Sequence, residues 1–293
     1  MSPPTARARL AAVLGDPVVH SLSPLLHNHW FARLGIDGVY LALRVPAEVF
    51  DETLRLLPAL GFRGFNVTIP HKERAFRAVD RRDRAAEVCG AVNTVRVEAD
   101  GSLTGLNTDG FGFLAHLRRR VPGWRPEAGP TVVLGAGGAA RAVVAALLEA
   151  GVGEVRIVNR TRPRAERLIA DLAPHFPTAR LSAVDWTARG EALTGAALLV
   201  QTTSLGMHGM PSLELPLDSL PRRAVVAEVV YVPSETDLLR RARKRGHPVV
   251  DGLGMLIWQA VPGFRHWGGV EPPVDGTVEA LLLEGLRATP PAK

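Results

Sequence analysis

The sequence contains few of the residues that build covalent or metal cross-links. Cys89 is the only cysteine among 293 residues, which excludes an internal disulfide and a cysteine-ligated metal cluster. No apolar run approaches the roughly 20 residues that a membrane-spanning helix needs. The first residues also lack the apolar segment of a signal peptide. We therefore expect a cytoplasmic protein with no bound metal and no membrane contact.

Lysine is also scarce. Only three of the 35 basic residues are lysines, at positions 72, 244 and 293. Because lysine can lose its proton and arginine effectively cannot, a lysine retained at position 72 suggests proton chemistry there. The net charge is +6, and the basic residues are scattered rather than arranged in stripes with aromatic residues. This distribution predicts an anionic small-molecule ligand and no nucleic-acid partner.

Helical and strand patterns alternate along most of the chain, which is typical of an α/β protein. The length exceeds that of one ordinary domain, and Val121–Pro130, rich in proline and glycine, is the best candidate linker. One continuous helix is expected over Glu73–Val88, and the tail Thr289–Lys293 is expected to be disordered. The later strands are expected to complete a parallel sheet and lie at about Arg180–Ser182, Ala197–Val200, Val225–Val229 and Pro248–Val250.

The most informative stretch is a glycine-rich turn between a predicted strand, Thr131–Leu134, and a predicted helix that starts at Gly138. Gly135, Gly137 and Ala140 occupy the three small positions of the G-x-G-x-x-G/A dinucleotide fingerprint. The first small residue permits a tight turn, the second lets the backbone approach a pyrophosphate, and the third lets the helix pack on its strand. The alternative is a purely structural glycine-rich turn.

The end of the next predicted strand indicates which dinucleotide binds. NAD-binding proteins usually have an acidic residue there, whereas this chain reads Asn159-Arg-Thr-Arg-Pro-Arg164. We therefore predict NADP(H), with Arg160 and Arg164 on the 2′-phosphate and Asn159 and Thr161 donating hydrogen bonds. Arg162 is a secondary candidate for the same contact. The alternative is that these arginines only solvate the start of a helix.

Several polar side chains precede predicted helices in the first half of the chain. Ser23 suits an N-cap with Pro24 at the first helical position, yet Ser21 and Ser23 also suit a carboxylate or a diol, and the two interpretations weigh equally. Pro70 likewise predicts a helix start, which places Thr68 and Lys72 at a strand-to-helix edge where open α/β sheets bind ligands.

Asn93 and Asp109 lie at the ends of predicted strands. Turn and N-cap roles are the simpler interpretation of each residue taken alone.

Together these residues form motifs in a fixed order, and their pattern resembles the shikimate dehydrogenase family over nearly the whole chain. The motifs are His20-Ser-Leu-Ser-Pro24, Asn66-Val-Thr-Ile-Pro-His-Lys72, Gly90-Ala-Val-Asn-Thr94, Asn107-Thr-Asp-Gly110, Gly135-Ala-Gly-Gly-Ala139, Asn159-Arg-Thr161, Tyr231 with Pro233, and Asp251-Gly-Leu-Gly-Met255 with Gln259.

The resemblance implies two α/β domains. One is a substrate-binding domain with a mostly parallel sheet, residues 1–112 plus 256–293, to which the last helices return. The other is a Rossmann-like NADP-binding domain, residues 113–255, and the family places a cleft between the two. The implied activity is the reversible reduction of 3-dehydroshikimate to shikimate with NADPH, by a monomer or a homodimer.

The resemblance also implies residue roles. Ser21, Ser23 and Tyr231 would hold the substrate carboxylate, and Thr68, Asn93, Asp109 and Gln259 its hydroxyl groups. The implied cofactor contacts are Gly135, Ala136, Gly137, Gly138, Ala139, Asn159, Arg160, Thr161, Arg164, Thr203, Val229, Gly252 and Met255.

Lys72 and Asp109 would form the catalytic pair. Hydride transfer to a ketone leaves an alkoxide, which needs a nearby cation that can also deliver a proton. A neighbouring carboxylate favours protonated Lys72, so we assign proton transfer to Lys72 and orientation with a hydrogen bond to Asp109.

Two alternatives to this function remain open. One is a quinate/shikimate dehydrogenase with dual substrate or cofactor use, and the other is a non-catalytic NADP(H)-binding regulator. The sequence also departs from the family pattern three positions before Tyr231, where Glu228 replaces the usual aspartate.

Overall fold

The structure is a computed structural model that describes residues 3–288. The predicted disordered tail Thr289–Lys293 therefore lies outside the described residues. The chain folds into two compact units. The first unit extends to Thr108 and resumes at Ile257, and the second covers Asp109–Leu256.

The first unit contains a six-stranded mixed sheet. Its strands are β1 (Arg9–Gly15), β2 (Gly38–Arg44), β3 (Phe62–Val67), β4 (Arg81–Arg82), β5 (Thr94–Val97) and β6 (Leu103–Leu106). They lie in the order β2-β1-β3-β5-β6-β4. The pairs β1/β2, β1/β3 and β4/β6 are parallel, and β5 is antiparallel to both of its neighbours.

Helices connect these strands and return at the end of the chain. They are α1 (Ser23–Arg33), α2 (Phe50–Leu56), α3 (Lys72–Ala78), α4 (Arg84–Cys89), the part of α9 (Leu253–Gly268) from Ile257 onward, and α10 (Gly276–Ala288). The indole nitrogen of Trp30 on α1 donates to the carbonyl of Pro273, 2.9 Å away, just before α10. The terminal helix is thus fastened to the first helix of the same unit.

The predicted continuous helix over Glu73–Val88 is wrong. Helix α3 ends at Ala78, and the chain then pairs with β6 before α4 begins at Arg84. The backbone N–H of Asp80 and that of Asp83 donate to carbonyls of the 103–105 strand segment. The Asp83 carboxylate then caps α4 by accepting from the N–H of Ala86, 2.7 Å away. Sheet pairing and a new N-cap therefore override the helical pattern of this stretch.

The second unit contains a six-stranded sheet in which every pairing is parallel. Its strands are β7 (Thr131–Leu134), β8 (Glu154–Asn159), β9 (Arg180–Asp185), β10 (Leu198–Gln201), β11 (Val225–Glu228) and β12 (Val249–Val250). They lie in the order β12-β11-β10-β7-β8-β9, which confirms the predicted parallel sheet. All four residues of β7, β10 and β11 are buried, as expected for central strands covered on both faces.

Helices of the second unit connect β7 to β8, β8 to β9 and β11 to β12, as in βαβ units, and one further helix precedes β7. They are α5 (Asp109–Arg120), α6 (Gly138–Glu149), α7 (Arg162–Leu172) and α8 (Asp237–Lys244), with the first turn of α9. The predicted linker contains only a short 3₁₀ turn, Pro126–Ala128, before β7. Within residues 3–288, no helix is both long enough and apolar enough to cross a bilayer.

His27 on α1 lies in an aromatic cluster at the core of the first unit. Its ring stacks on Tyr40, with ring centroids 4.1 Å apart, and also contacts Trp30 and Trp267. The ring is fully buried, and among the described residues neither of its nitrogens has a hydrogen-bond partner. Burial lowers the pKa of His27 to about 3. The side chain is therefore neutral in the folded protein at neutral pH.

This burial predicts an acid-sensitive stability. Unfolded His27 takes up a proton below about pH 6.5, whereas the folded form resists protonation until about pH 3. The contribution of neutral His27 to the free energy of unfolding is therefore fully present above pH 6.5. Below that pH it falls by about 1.4 kcal/mol per pH unit. Urea unfolding of the wild type and of His27→Phe, compared between about pH 7 and pH 5, measures this difference. Equal pH slopes for the two proteins would contradict the assignment.

Candidate functional site

Lys72 is the first residue of α3, and a turn over residues 68–71 separates it from the end of β3. Its side chain is half-buried, and its carbonyl accepts a hydrogen bond from the N–H of Val92, 3.0 Å away. That contact holds the start of α3 next to Asn93. The predicted position of Lys72 at a strand-to-helix edge is confirmed.

Pro70 does not begin this helix, contrary to the prediction. The chain makes a turn first, in which the N–H of His71 donates to the carbonyl of Thr68, 2.9 Å away. The Ile69–Pro70 peptide bond is cis, and α3 begins two residues later. His71 is buried, and its ring bonds to the carbonyl of Val45 and stacks on Phe50. This anchored turn delays the helix until Lys72.

Thr68 is held against the end of β1. Its N–H donates to the carbonyl of Leu14, 2.9 Å away. A β-carbon at Gly15 would lie 2.4 Å from the Thr68 methyl group, so only glycine fits opposite it. The side chain of Thr68 is half-buried.

Ser23 is not an N-cap, so that interpretation is wrong. It is the first residue of α1, and the capping position is Leu22, which makes no side-chain bond. The hydroxyl of Ser21 accepts from the N–H of Ser23 at 3.3 Å and so satisfies one of the free N–H groups of the helix start. Ser23 itself is buried, and its hydroxyl bonds to the phenol of Tyr40.

Tyr40 begins a buried chain of polar side chains that continues across the first sheet. Its phenol donates to Asn66 Oδ1 at 2.6 Å. The amide nitrogen of Asn66 donates to Thr94 Oγ1 at 2.9 Å and to the carbonyl of Asn93 at 3.2 Å. Burial raises the pKa of Tyr40 well above its usual value, so the phenol keeps its proton.

Asn93 and Thr108 form the other end of this chain. Asn93 Nδ2 donates to Thr108 Oγ1 at 3.0 Å, and the N–H of Thr108 donates to Asn93 Oδ1 at 2.8 Å. The network therefore joins Ser23 and Asn93, two predicted substrate residues, through side chains that the sequence analysis did not single out. Tyr40 is one of only two tyrosines in the sequence, and this scarcity was the one feature of the sequence that could have drawn attention to it.

Gln259 and Asp109 lie on helices near the limits of the two units. Gln259 is a half-buried residue of α9 within the first unit. Asp109 is the first residue of α5 and of the second unit, so the simple N-cap interpretation is wrong for it also. Gly110 packs α5 tightly on α6, because a β-carbon there would lie 2.7 Å from the carbonyl of Ala142.

The glycine-rich turn has the geometry that the fingerprint predicts. Gly135 has φ of +112°, and a β-carbon there would lie 2.5 Å from Thr202 Oγ1. Gly137 immediately precedes α6, and a β-carbon at Gly137 or Gly138 would meet no atom within 4 Å. Ala140 is fully buried. The first N–H groups of a 12-residue helix are thus open to a phosphate, which suits the predicted pyrophosphate.

The arginines after β8 differ in their contacts. Arg162 makes ion pairs with Glu166 and Asp185, both at 2.8 Å, so its charge is already balanced. Arg160 and Arg164 are exposed, and in the described part of the chain neither has an ion-pair partner. Asn159 Nδ2 donates to the carbonyl of Thr161 at 2.8 Å. Arg160 and Arg164 are the residues that fit an additional phosphate.

The remaining predicted cofactor residues follow other strands of the same sheet. The N–H of Thr203, after β10, donates to Gln201 Oε1 at 2.8 Å. Val229 follows β11, and a β-carbon at Gly252 would lie 2.5 Å from its carbonyl oxygen. Met255 lies half-buried in the first turn of α9. All four residues therefore lie near the carboxyl edge of the parallel sheet, where α/β proteins bind ligands.

Asp251 fastens α5 to the start of α9 within the second unit. Its carboxylate lies 3.4 Å from His116 Nε2 and accepts from the N–H of Gly254 at 3.3 Å. Burial alone would raise the pKa of Asp251, but His116, this N–H and nearby Arg120 outweigh it and lower the pKa to about 2. A β-carbon at Gly254 would overlap the His116 ring, which explains the second glycine of this motif.

Tyr231 lies in the loop between β11 and α8. Its side chain is half-buried, and burial raises the pKa of its phenol. Among residues 3–288, no cluster of three or more histidine, cysteine or acidic side chains is placed to hold a metal ion.

Sequence profiles of known families cover most of the chain. Residues 13–95 match the shikimate dehydrogenase substrate-binding domain. Residues 126–203 match the family described as shikimate / quinate 5-dehydrogenase. Residues 252–282 match the shikimate 5-dehydrogenase C-terminal domain.

Individual proteins are similar over almost their full lengths. The NADP(+) shikimate dehydrogenase of Paramagnetospirillum magneticum is 54% identical over 95% of this chain and 99% of its own. A Listeria monocytogenes shikimate 5-dehydrogenase structure with shikimate and NAD is 33% identical, with a TM-score of 0.89 over 96% of this chain and 99% of that one. A Thermus thermophilus structure of the enzyme with NADP(H) and shikimate is 39% identical, with a TM-score of 0.81 over 94% of this chain and 98% of that one. The chain therefore belongs to the shikimate dehydrogenase family.

Proposed function

We propose that this protein catalyses the reversible, NADPH-dependent reduction of 3-dehydroshikimate to shikimate, a step of aromatic amino acid biosynthesis. The observation that carries the proposal is the 54% identity to an NADP(+) shikimate dehydrogenase over 95% of the chain. The buried polar network next to the start of α3 supports it. A polyol needs side chains that both donate and accept hydrogen bonds, and serine, threonine and asparagine supply both.

The cofactor supplies the hydride, and the second unit supplies its binding groups. The open N-terminus of α6 holds the pyrophosphate, with Gly135, Ala136, Gly137, Gly138 and Ala139 forming the turn. Arg160 and Arg164 bind the 2′-phosphate, with Asn159 and Thr161 beside them. Thr203, Val229, Gly252 and Met255 complete the cofactor site.

Lys72 delivers a proton to the substrate oxygen as the ketone is reduced, and takes it back during oxidation. Its ammonium group also stabilises the negative charge that develops on that oxygen. Asp109 orients the reacting hydroxyl and accepts its hydrogen bond.

The other substrate contacts divide by chemistry. Ser21, Ser23 and Tyr231 bind the carboxylate, and Thr68, Asn93 and Gln259 bind the hydroxyl groups with Asp109. We assign residues 1–112 and 256–293 to substrate binding and residues 113–255 to NADP binding. We further propose a cytoplasmic enzyme that acts as a monomer or a homodimer, without a nucleic-acid partner.

Steady-state kinetics with shikimate and quinate, each with NADP and NAD, test this function. We expect the highest kcat/KM for shikimate with NADP, because NAD has no phosphate for Arg160 and Arg164. Comparable efficiency with NAD would rule out the phosphate assignment. The family match over residues 126–203 also includes quinate enzymes, so comparable efficiency with quinate would establish the dual-substrate alternative.

A further inference from the structure

Glu228 is a buried carboxyl group that the proposed mechanism does not use. It is the last residue of β11, and only 1% of it is exposed. One carboxyl oxygen accepts from the N–H of Val230 at 3.2 Å, and the other accepts from the hydroxyl of Thr236 at 3.1 Å. Val230 precedes Tyr231 in the chain, and Thr236 follows it. A single side chain therefore closes the loop that carries Tyr231.

Thr236 connects this loop to α8. It is the N-cap of that helix, and its hydroxyl oxygen accepts from the N–H of Leu239 at 3.3 Å. Its one hydroxyl proton goes to Glu228, so both roles of the hydroxyl are filled inside the protein. Thr236 is only 2% exposed. The far end of the loop is thus tied to the helix and to Glu228 together.

Other contacts also reach the middle of this loop, among them the ion pair between Glu235 and Arg243 of α8. Residues 232–235 are exposed. The carbonyl of Val232 accepts from the N–H of His208 at 2.8 Å, and His208 is itself exposed. The start of the loop is packed more tightly, because the carbonyls of Val229 and Val230 leave no room for a β-carbon at Gly252. The carboxyl of Glu228 bonds both the start and the end of the loop.

We propose that Glu228 positions Tyr231 and, through it, the binding of the substrate carboxylate. The inference rests on the proposed function, because it assigns Tyr231 a substrate contact. Glutamate reaches both partners with its longer side chain, which gives a physical role to the departure from aspartate at this position. Burial raises the pKa of Glu228 to about 8, so glutamine imitates its neutral form closely.

Three substitutions test this role. Thr236→Val and Glu228→Leu remove the closing hydrogen bonds, and each is expected to raise the KM for shikimate about five- to tenfold while leaving kcat and the KM for NADP within about twofold. Glu228→Gln keeps a polar group facing both partners and is expected to stay within about twofold of the wild type throughout. Glu154→Gln is the matched control, because it removes a carboxylate from the opposite edge of the same sheet.

A double-mutant cycle separates positioning from general loss of structure. If the loop acts through Tyr231, Thr236→Val has no further effect on the shikimate KM in a Tyr231→Phe background. An equal rise in both backgrounds, or an unchanged KM in both Thr236→Val and Glu228→Leu, would overturn the proposal. Thr236→Val keeps the test decisive if Glu228→Leu does not fold.

Proteolysis gives a readout that does not depend on activity. The exposed loop contains Glu235, so a glutamyl endopeptidase is expected to cut there about tenfold faster in Glu228→Leu, which leaves the cleaved bond unchanged, than in the wild type. Equal cutting rates would also overturn the role of Glu228 in holding the loop. If the wild type does not oxidise shikimate with NADP, but the variant is still cut faster than the wild type, the proposed function is overturned and the role of Glu228 in holding the loop is retained.

Discussion

Lys72→Ala is expected to lower kcat by about 10²- to 10⁴-fold, with a smaller effect on the KM for shikimate. The proton and the positive charge of Lys72 are most needed when the substrate oxygen becomes negative, so the lost interaction belongs mainly to the transition state. Steady-state kinetics in both directions measure the effect. Near-normal turnover in this variant would overturn the assignment of Lys72.

Two lysine variants sharpen this experiment. Lys72→Arg keeps the charge but cannot release a proton at neutral pH, so kcat is expected to stay far below that of the wild type. Lys244→Ala removes a lysine from the exposed face of α8 and is expected to leave kcat unchanged. Full activity in Lys72→Arg would show that charge alone is required at this position.

Replacing both Arg160 and Arg164 by glutamine is expected to raise the KM for NADP by about 100-fold and to leave the KM for NAD nearly unchanged. Hydrogen bonds between charged groups contribute about 1.5–3 kcal/mol each, and NAD has no group for these side chains to bind. Each single variant is expected to raise the KM for NADP about tenfold. Initial rates with both cofactors at saturating shikimate provide the measurement.

Arg167→Gln is the matched control for this pair. Arg167 is exposed on the same helix, one turn beyond Arg164, and its replacement removes the same charge. We expect no change in cofactor preference. If Arg167→Gln raised the KM for NADP as much as the double variant, the phosphate would be attracted by the general charge of α7 rather than by Arg160 and Arg164.

The glycine-rich turn and the parallel sheet around it could be predicted well because their signals are local in the sequence. Gly135, Gly137 and Ala140 each have a backbone or packing role that their spacing alone indicates. The parallel sheet followed from short apolar runs separated by helical patterns. Arg162 is the exception. Its ion pair with Asp185 joins residues 23 positions apart, which no local pattern reveals.

The buried polar network of the first unit was harder to predict because its contacts join residues that are distant in the chain. Tyr40 bonds to Asn66, 26 residues away, and Asn93 bonds to Thr108, 15 residues away. Spacing within a single helix or strand cannot predict such pairs. The sequence therefore identified Ser23 and Asn93 separately but did not reveal the buried network that joins them.

The errors in secondary structure have a common origin. The 80–83 segment leaves the helical pattern to pair with β6, and Pro70 lies within a turn that is fixed by the buried ring of His71. In both places, contacts with distant parts of the chain override local helix signals. The N-cap interpretation of Ser23, one of the two that the local pattern favours equally, fails for the same reason, because the partner of its hydroxyl, Tyr40, lies on another element.

The most direct test of the proposed activity is to mix the purified protein with NADPH and 3-dehydroshikimate and to follow both the nicotinamide absorbance and the formation of shikimate. We expect the absorbance to fall only when both compounds are present, with one shikimate formed for each NADPH consumed. Binding of NADPH without its oxidation would contradict the account and would instead indicate a non-catalytic regulator.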